Sequence, residues 1–425
     1  MVRRQRIPLA ALTLGLALAI AQGMSCGEEP PEWPPVWHAA PDVTARFRGR
    51  IDTDAWWSDQ SAKNLADFGE LNDVVGLRRA RVGLEGDLPD GGVYIAEIDL
   101  AGGNVVIRDL FAGMPGLFDS QEQVGHFREP FSLEGGTSAR FFAFMERSPA
   151  NVLDPARNWG VGLMQVEPTA DCAFAIGGFY GGPDQNDFEG GPGSTTGVTA
   201  KFTAAPINDG EGEQLLHFGA ALSERLPLDG VIIINQDPRS PLLEFTDTTT
   251  SVFLPQLIIP ADFQHILNAQ VARVSGPWWT QAEWYGTFID QPSGGTVFYE
   301  GMYWNLGCFL TGERRQYNAA TGEFGQVHVA RPFLSGPASR GRQLGPGAWE
   351  VAARFAWIDF FDANAPRDAN GQLQGIQMPQ ATIGVNWYLT DRVRLMFNYV
   401  YSAPIEPTVG QSTASLFGSR LGVWW

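Results

Sequence analysis

Residues 347–425 alternate between apolar and polar side chains with a period of two residues. Between 393 and 401, valine, leucine, phenylalanine and tyrosine occupy the odd positions, whereas Arg394 and Asn398 occupy even ones. A two-residue period is that of a β-strand, so one face of each strand is apolar and the other is polar. In a soluble sandwich the apolar face points into a core, whereas in a transmembrane barrel it points into lipid and the polar face lines a water-filled lumen.

The same succession of strand-like segments and turns extends from Arg46 to Trp425, and no boundary divides it into domains. Sixteen segments are predicted as strands: 46–57, 75–88, 92–101, 104–112, 121–127, 158–166, 172–180, 196–205, 214–222, 264–275, 278–288, 296–310, 348–360, 374–389, 392–402 and 413–425. Single-chain bacterial barrels have an even number of strands. We therefore predict an all-β fold, a 16-stranded antiparallel transmembrane β-barrel at 46–425.

The N-terminus has the three parts of an export signal. Arg3, Arg4 and Arg6 form a basic region, followed by an apolar core at 9–20 and a small-residue cleavage site at 19–21. We predict a signal peptide at 1–21 and an irregular, Pro-rich N-terminal extension at 22–45. The apolar core is too short to span a bilayer comfortably, so any membrane span is a strand. A secreted soluble β-protein would need the same signal.

Charge and the scattered reactive residues argue against several functions. The net charge is −18, and loss of three arginines with the signal peptide makes it more negative, which argues against nucleic-acid binding. The five histidines and three cysteines show no metal-ligand or disulfide spacing, and Cys26 follows a poor lipidation motif. We therefore predict no catalytic residue, no metal, no cofactor and no enzymatic activity. A barrel lipase or protease is the remaining enzymatic alternative.

Strand parity assigns the connections to two sides of the barrel. With both termini periplasmic, the external loops are 58–74, 128–157, 181–195, 223–263, 361–373 and 403–412, and the short connections are periplasmic turns. The connection 311–347 breaks this pattern, because it is long and yet falls on the periplasmic side. Either it folds into the lumen, or it is a solvated loop, or the strand count is wrong there.

A series of motifs follows in a fixed order along the chain: GLRRARVGLEG at 76–86, VGHFREPFSLE at 124–134, TS at 137–138, FMERS at 144–148, LTGERR at 310–315 with Tyr317, GAWEVAAR at 347–354, NWYL at 386–389 and RLMFNYV at 394–400. In sequence and order these motifs resemble the phosphate-selective porin O/P family. The resemblance implies a 16-stranded outer-membrane porin, usually a homotrimer, with its third external loop, here 128–157, folded inward as an eyelet. It also implies constriction lysines in phosphate-selective members, whereas this chain has only Lys63 and Lys201.

Arginines recur at alternate positions of the predicted strands. In residues 46–51 three arginines alternate with Phe47, Gly49 and Ile51, so their guanidinium groups share one face, about 7 Å apart. At membrane depth they must face the lumen, since exposure to lipid costs about 2–4 kcal/mol each. A ladder of anion sites is predicted from Arg46, Arg48, Arg50, Arg79, Arg81, Arg354, Arg392, Arg394 and Arg420. In the alternative they pair with lumenal carboxylates, namely Asp52, Asp54, Glu85 and Asp87, and fill the wall.

The inward loop and the long connection supply candidates for a constriction. They are Arg128, Glu129, Glu134, Arg140, Glu146, Arg147, Arg157, Arg314 and Arg315. Positive and negative groups on opposite sides of a constriction would create a transverse electric field. The near balance of charge in the loop does not by itself predict strong anion selectivity.

We therefore expect an outer-membrane porin of a Gram-negative-type cell, exported through its signal peptide, surrounded by outer-membrane lipid and assembled as a homotrimer. It would allow facilitated diffusion of small anions, with phosphate as the candidate solute, along lumenal arginines. Two alternatives remain. One is a general diffusion porin without phosphate selectivity, favoured by the negative net charge and scarce lysine. The other is a structural or adhesive barrel with a plugged lumen.

Overall fold

The computed structural model describes residues 34–103, 105–117, 120–169, 172–182, 192–209, 213–234, 253–254, 256–333, 344–367, 371–407 and 410–425. Within them, the barrel wall consists of β1 Val43–Gln60, β2 Val74–Leu88, β3 Gly92–Asp99, β4 Val106–Pro115, β5 Gln121–Arg128, β6 Arg157–Thr169, β7 Cys172–Gly181, β8 Thr195–Asn208, β9 Gln214–Pro227, β10 Phe263–Ser275, β11 Trp278–Asp290, β12 Thr296–Phe309, β13 Ala348–Asp359, β14 Gln377–Thr390, β15 Val393–Ser402 and β16 Ala414–Trp424. Each strand pairs antiparallel with its neighbours in sequence, and β1 pairs with β16. The predicted closed barrel of sixteen strands is confirmed.

The N-terminal part of the described chain differs from the prediction. Residues Val36–Ala40 form a short strand that pairs antiparallel with the beginning of β1, where Val36 lies opposite Arg46. The sequence predicts an irregular extension at 22–45, whereas the structure has this strand and begins β1 at Val43. Residues 36–40 contain no proline, so their backbone N–H groups are free to pair between Pro35 and Pro41. Residues 1–33, which include the predicted signal peptide and Cys26, lie outside the described part.

Burial alternates along the strands in the sense opposite to that of a soluble protein. On β12, Met302 and Trp304 are exposed, whereas Tyr303 and Asn305 on the inward face are buried. An apolar outer surface around a polar interior is typical of a transmembrane barrel. Among the described residues, no helix is both long enough and apolar enough to cross a membrane.

The two ends of the barrel differ in their connections. At the turn end, strands are joined by short connections such as 276–277 and 391–392, and by the 3₁₀ turn Pro89–Gly91. The opposite, loop end carries the 3₁₀ turn Ala101–Gly103 and longer elements. These longer elements are the helix Ala62–Phe68, the hairpin Val231–Ile234 with Leu257–Pro260, and the paired segments Ile405–Glu406 and Gly410–Gln411. The connection between β12 and β13 is long although it lies at the turn end, so the sequence count of strands there was correct.

Two connections contact the inward-facing side chains of the wall. The loop segment, residues 129–156 between β5 and β6, contains the helix Leu133–Gly136 and the 3₁₀ turn Pro149–Leu153. The turn segment, residues 310–333 between β12 and β13, contains Tyr317–Asn318 paired with Glu323–Phe324. The two segments also contact each other, because the backbone N–H of Phe324 donates to Thr137 Oγ1 at 3.2 Å.

The apolar core fills one side of the barrel interior. Phe131 and Met145 of the loop segment pack with inward side chains of β9–β16 and with the loop-end hairpin. A second cluster joins Phe144 of the loop segment to Phe324 of the turn segment and to the wall. The interior beside β9–β16 is therefore occupied by protein, whereas the side formed by β2–β8 contributes little to either cluster.

Candidate functional site

The arginines of β1 lie on its inward face, opposite the exposed Phe47 and Ile51. Solvent exposure of these arginine side chains falls along the strand, from 54% at Arg46 to 16% at Arg48 and 2% at Arg50. Arg46 is therefore exposed to water near the turn end, whereas Arg50, four residues later on the same face, is buried. This gradient divides the predicted arginine ladder into two groups.

Buried arginines of the first group are bound to buried carboxylates of the wall. Arg50 Nη2 and Arg79 Nη1 share Asp52 Oδ2, at 2.7 and 3.1 Å. Arg420 binds both oxygens of Asp54, through Nε at 2.6 Å and Nη2 at 2.7 Å. All five side chains are buried, so these guanidinium groups offer no open site to a passing anion.

The same buried group holds the loop segment against the wall. Arg354 Nη2 contacts Glu134 Oε1 at 2.7 Å, and its Nη1 donates to the carbonyl of Glu146 at 3.0 Å. Arg394 Nη1 donates to the carbonyl of Phe142 at 2.6 Å. Because the acceptors are loop-segment atoms, these arginines connect the segment to β13 and β15.

The carboxylate of Glu146 joins several buried arginines at one point. Arg78 Nε lies 3.1 Å from Glu146 Oε1, and Arg79 Nη2 lies 3.1 Å from Oε2. Arg420 Nη2 lies 2.5 Å from Oε1. Burial acts to raise the pKa of Glu146, but the three guanidinium groups outweigh burial and hold that pKa at about 2. Glu146 is therefore ionised and fully paired.

A carboxylate on β11 holds the other end of the loop segment. Glu283 accepts hydrogen bonds from the backbone N–H groups of Leu133, at 2.9 Å, and Glu134, at 2.6 Å, at the beginning of the short helix. Asn268 Nδ2, at 3.2 Å, and the Tyr303 hydroxyl also donate to it. The loop segment is thus fixed to the wall by hydrogen bonds along most of its length.

A second group of arginines remains partly open to water, and we call it the open arginine group. It consists of Arg46, Arg48, Arg81, Arg108, Arg128, Arg140 and Arg157, with Glu85, Glu97, Asp99, Asp109 and Asp154 as ion-pair partners. Six of these arginines lie on β1, β2 and β4–β6, and Arg140 lies in the loop segment. Seven arginines against five carboxylates leave local positive charge on this side of the barrel.

Glu97 shows how the open arginine group is arranged. Its carboxylate is contacted by Arg48 Nε at 3.0 Å, Arg81 Nη1 at 3.4 Å and Arg140 Nη2 at 3.5 Å. The Glu97 side chain is only 2% exposed, whereas the three arginines are 14–17% exposed. The carboxylate therefore lies behind its partners, and water meets guanidinium groups first.

Four of the predicted arginines, including Arg315 described below, lie outside both groups. Arg392 falls in the two-residue turn between β14 and β15 and is exposed at the turn end, because β15 begins only at Val393. Arg314 also lies at the turn end, with Nη1 2.5 Å from Glu213 Oε1. Arg147 donates to backbone carbonyls of the loop segment, and burial lowers its pKa to about 9.

Two further candidates are structural contacts between elements. Arg315 is buried, with its guanidinium carbon 4.4 Å from the ring centroid of Trp279 and 4.0 Å from that of Phe324. Glu129 is paired with Arg225 of β9. Neither side chain is available to a solute in this arrangement, although both help to position the inward segments.

Sequence reasoning missed two arginines because of irregular strand pairing. Asp52 lies opposite Arg79 and Thr53 opposite Leu77, so Arg78 is an extra residue and both adjacent arginines are buried. Arg108 occupies a similar shift on β4. Such bulges let neighbouring residues share one face. Adjacent charged residues inside a strand, as at 78–79 and 108–109, are the sequence signal that could have revealed them.

Comparison with known proteins gives consistent results. Residues 50–404 match the family described as "Phosphate-selective porin O and P". An uncharacterized protein of Caulobacter vibrioides is 26% identical over 383 residues, which cover 85% of this chain and 70% of that protein. Porin O of Pseudomonas aeruginosa is 24% identical over 355 residues, which cover 78% of this chain and 77% of that protein.

Solved outer-membrane barrels share the fold. The anion-selective porin from Comamonas acidovorans superposes with a TM-score of 0.53 at 13% identity, over 90% of this chain and all of that chain. The trimer form of OmpT, an outer membrane protein of Vibrio cholerae, gives 0.53 at 12% identity, with the same coverage. Because the identities are this low, these comparisons show a common barrel architecture and nothing further.

Proposed function

This chain belongs to the phosphate-selective porin O and P family of outer-membrane porins, and we propose that it passes small anions, phosphate among them, along the open arginine group. The observation that carries the proposal is the arrangement at Glu97, where a buried carboxylate stands behind three partly exposed arginines. A solute on this side meets positive guanidinium donors, which bind oxyanions through two parallel hydrogen bonds.

We propose that the passage lies between the loop segment and strands β1–β8, which carry six arginines of the open arginine group. The interior beside β9–β16 is occupied by the two apolar clusters, and the buried arginines there already bind protein atoms. The loop and turn segments narrow the remaining space, which would bring a solute close to the open arginine group. Facilitated diffusion also requires weak binding, and the carboxylates behind the arginines reduce their attraction for anions.

Phosphate is proposed on the family's description and on the chemistry of guanidinium groups. Neither lysine of the chain belongs to the open arginine group, because Lys63 lies in a loop-end helix and Lys201 is buried on β8. We also propose a homotrimer, since a trimer form is described for the structurally similar OmpT of Vibrio cholerae. The function requires no catalytic group and no cofactor.

The test is the reversal potential of the purified protein in a planar bilayer under a KCl gradient, followed by phosphate titration. We expect an anion-selective potential and a chloride current that phosphate blocks. Arg140→Gln removes a charge from the open arginine group and should move the potential toward zero. Arg367→Gln, a matched change in an exposed loop-end connection, should leave the potential unchanged.

Other outcomes would identify the alternatives. A zero or cation-selective potential without phosphate block would contradict anion passage and favour a general diffusion porin. Absence of single-channel steps from correctly folded protein would favour a plugged structural barrel.

A further inference from the structure

A cavity of ≈ 150 Å³ lies between wall strands β5–β8 and the two inward segments. It carries charges of both signs on opposite walls. Arg128 and Lys201 belong to the barrel wall, whereas Glu323 belongs to the turn segment. Met164 and Phe174 supply apolar surface between them.

The positive wall retains donors for a ligand. Lys201 Nζ donates to the carbonyl of Thr321 at 3.2 Å, and an ammonium group has three donors. Arg128 Nη1 binds Asp154 Oδ1 at 2.9 Å, and the Arg128 side chain is partly exposed. Both cations line the cavity and have N–H donors beyond these two contacts, which an anionic group could use.

The negative wall carries Glu323, whose carboxylate has a hydrogen bond with the Thr321 side chain and interacts at longer range with Lys201, Arg128 and Arg147. Among the described residues, Glu323 forms no ion pair within 4.0 Å. A Cβ at Gly136 would overlap its carboxylate, so the glycine leaves the space that this group occupies. The other carboxylate of the lining, Glu129, is paired with Arg225 and accepts from Asn158 Nδ2 at 2.6 Å. A carboxylate has more acceptor positions than the one used with Thr321, so Glu323 can still accept from a positively charged group.

We propose that this cavity binds small zwitterions, such as a free α-amino acid with a short side chain. The ammonium group would contact Glu323, and the carboxylate would contact Lys201 and Arg128. A simple anion would use only the positive wall, so the site distinguishes a zwitterion from an anion of the same size. The inference rests on the proposed function only in requiring that solutes reach the cavity through the porin.

The test compares glycine with glycolate, which has a hydroxyl in place of the ammonium group. The chloride current of purified porin in a planar bilayer at pH 7 is measured against increasing concentrations of each, and gives a half-block concentration. We expect Glu323→Gln to raise the glycine value about tenfold, or about 1.4 kcal/mol, and not to raise the glycolate value. Lys201→Gln should raise both values. The matched control Glu213→Gln, at the turn end and outside the cavity lining, should change neither.

The outcomes separate this inference from the proposed function. Glycine without effect on the wild-type current, or with equal effect on wild type and Glu323→Gln, would overturn the zwitterion site even if the channel is anion-selective. A glycine block that depends on Glu323 in a channel without anion selectivity would support the site and contradict the proposed function. Should Glu323→Gln fail to fold, Glu323→Asp is the second variant, because it keeps the charge but draws the carboxylate back by one methylene. We then expect a smaller rise in the half-block concentration of glycine and no rise in that of glycolate.

Discussion

The two sides of the barrel interior use arginine in opposite ways. Beside β13–β16, Arg354, Arg394 and Arg420 are buried and bind the loop segment, so they act as crosslinks between a loop and the wall. Along β1 and β2, Arg48 and Arg81 remain partly exposed, and the carboxylate of Glu97 behind them is buried. A guanidinium surrounded by protein is a structural contact, whereas one that faces water in front of a carboxylate can receive a solute.

The difference arises from what packs against the wall. Arg46 and Arg50 share one face of β1, yet only Arg50 is covered, and its Nη2 donates to the carbonyl of Ala139 in the loop segment at 3.0 Å. A row of arginines in one strand is thus divided by a loop that lies nearly ninety residues away in sequence.

The largest expected effect is on stability, and it comes from removing a buried arginine beside β13–β16. Arg420→Leu leaves the carboxylate of Asp54 buried without the two hydrogen bonds that Arg420 donates, and should lower the free energy of unfolding by about 3–5 kcal/mol. Urea unfolding of the vesicle-embedded protein, followed by tryptophan fluorescence, measures this. The exposed control Arg367→Gln should change the free energy by less than about 0.5 kcal/mol. Equal stability of the two variants would contradict a structural role for Arg420.

A smaller effect is expected where the turn segment meets the wall. Arg315→Met removes contacts with the Trp279 and Phe324 rings and a hydrogen bond to the Phe141 carbonyl. A cation–π interaction at a desolvated site stabilises the folded protein by about 2 kcal/mol, so the free energy of unfolding should fall by about that amount. We expect higher single-channel conductance with more open-state noise, because the turn segment is less firmly held. The neighbouring Arg314→Met is the control, and equal noise in both variants would show that Arg315 does not fix the segment.

Removing a negative charge from the open arginine group should increase anion selectivity. Glu97→Gln takes away the carboxylate shared by three arginines. The ratio of chloride to potassium permeability should therefore rise by an amount equivalent to roughly 1 kcal/mol. The reversal potential under a KCl gradient reports the change. Glu70→Gln, at an exposed loop-end position, should have no effect. A shift toward cation selectivity in Glu97→Gln would contradict the arrangement.

The smallest expected effect is a dependence on pH. Burial raises the pKa of Glu323 above its ordinary value, although Lys201, Arg128 and Arg147 counteract this. Acidification therefore protonates Glu323 earlier than an exposed glutamate while these cations keep their charge. Anion selectivity should rise modestly as pH falls from 7 toward the raised pKa. The rise should be absent in Glu323→Gln, and an equal rise in that variant would assign the dependence to other groups.

Sequence alone predicted the barrel well, because alternation is a local property of each strand. All sixteen strands were located, and the inward face of Arg46, Arg48 and Arg50 followed from Phe47 and Ile51 on the other face. Burial of individual arginines did not follow, since it depends on where distant segments pack. Local periodicity also failed at bulges and turns, as with Arg78, which is inward, and Arg392, which lies in a turn.

The most direct test of the two roles compares Arg48→Gln with Arg394→Gln, because each removes one positive charge from the interior. The measurement is the reversal potential of each folded variant in a planar bilayer under the same KCl gradient. We predict that Arg48→Gln moves the potential toward zero and that Arg394→Gln keeps the wild-type potential. Loss of selectivity in Arg394→Gln with an unchanged potential in Arg48→Gln would contradict the assignment of the passage to the open arginine group.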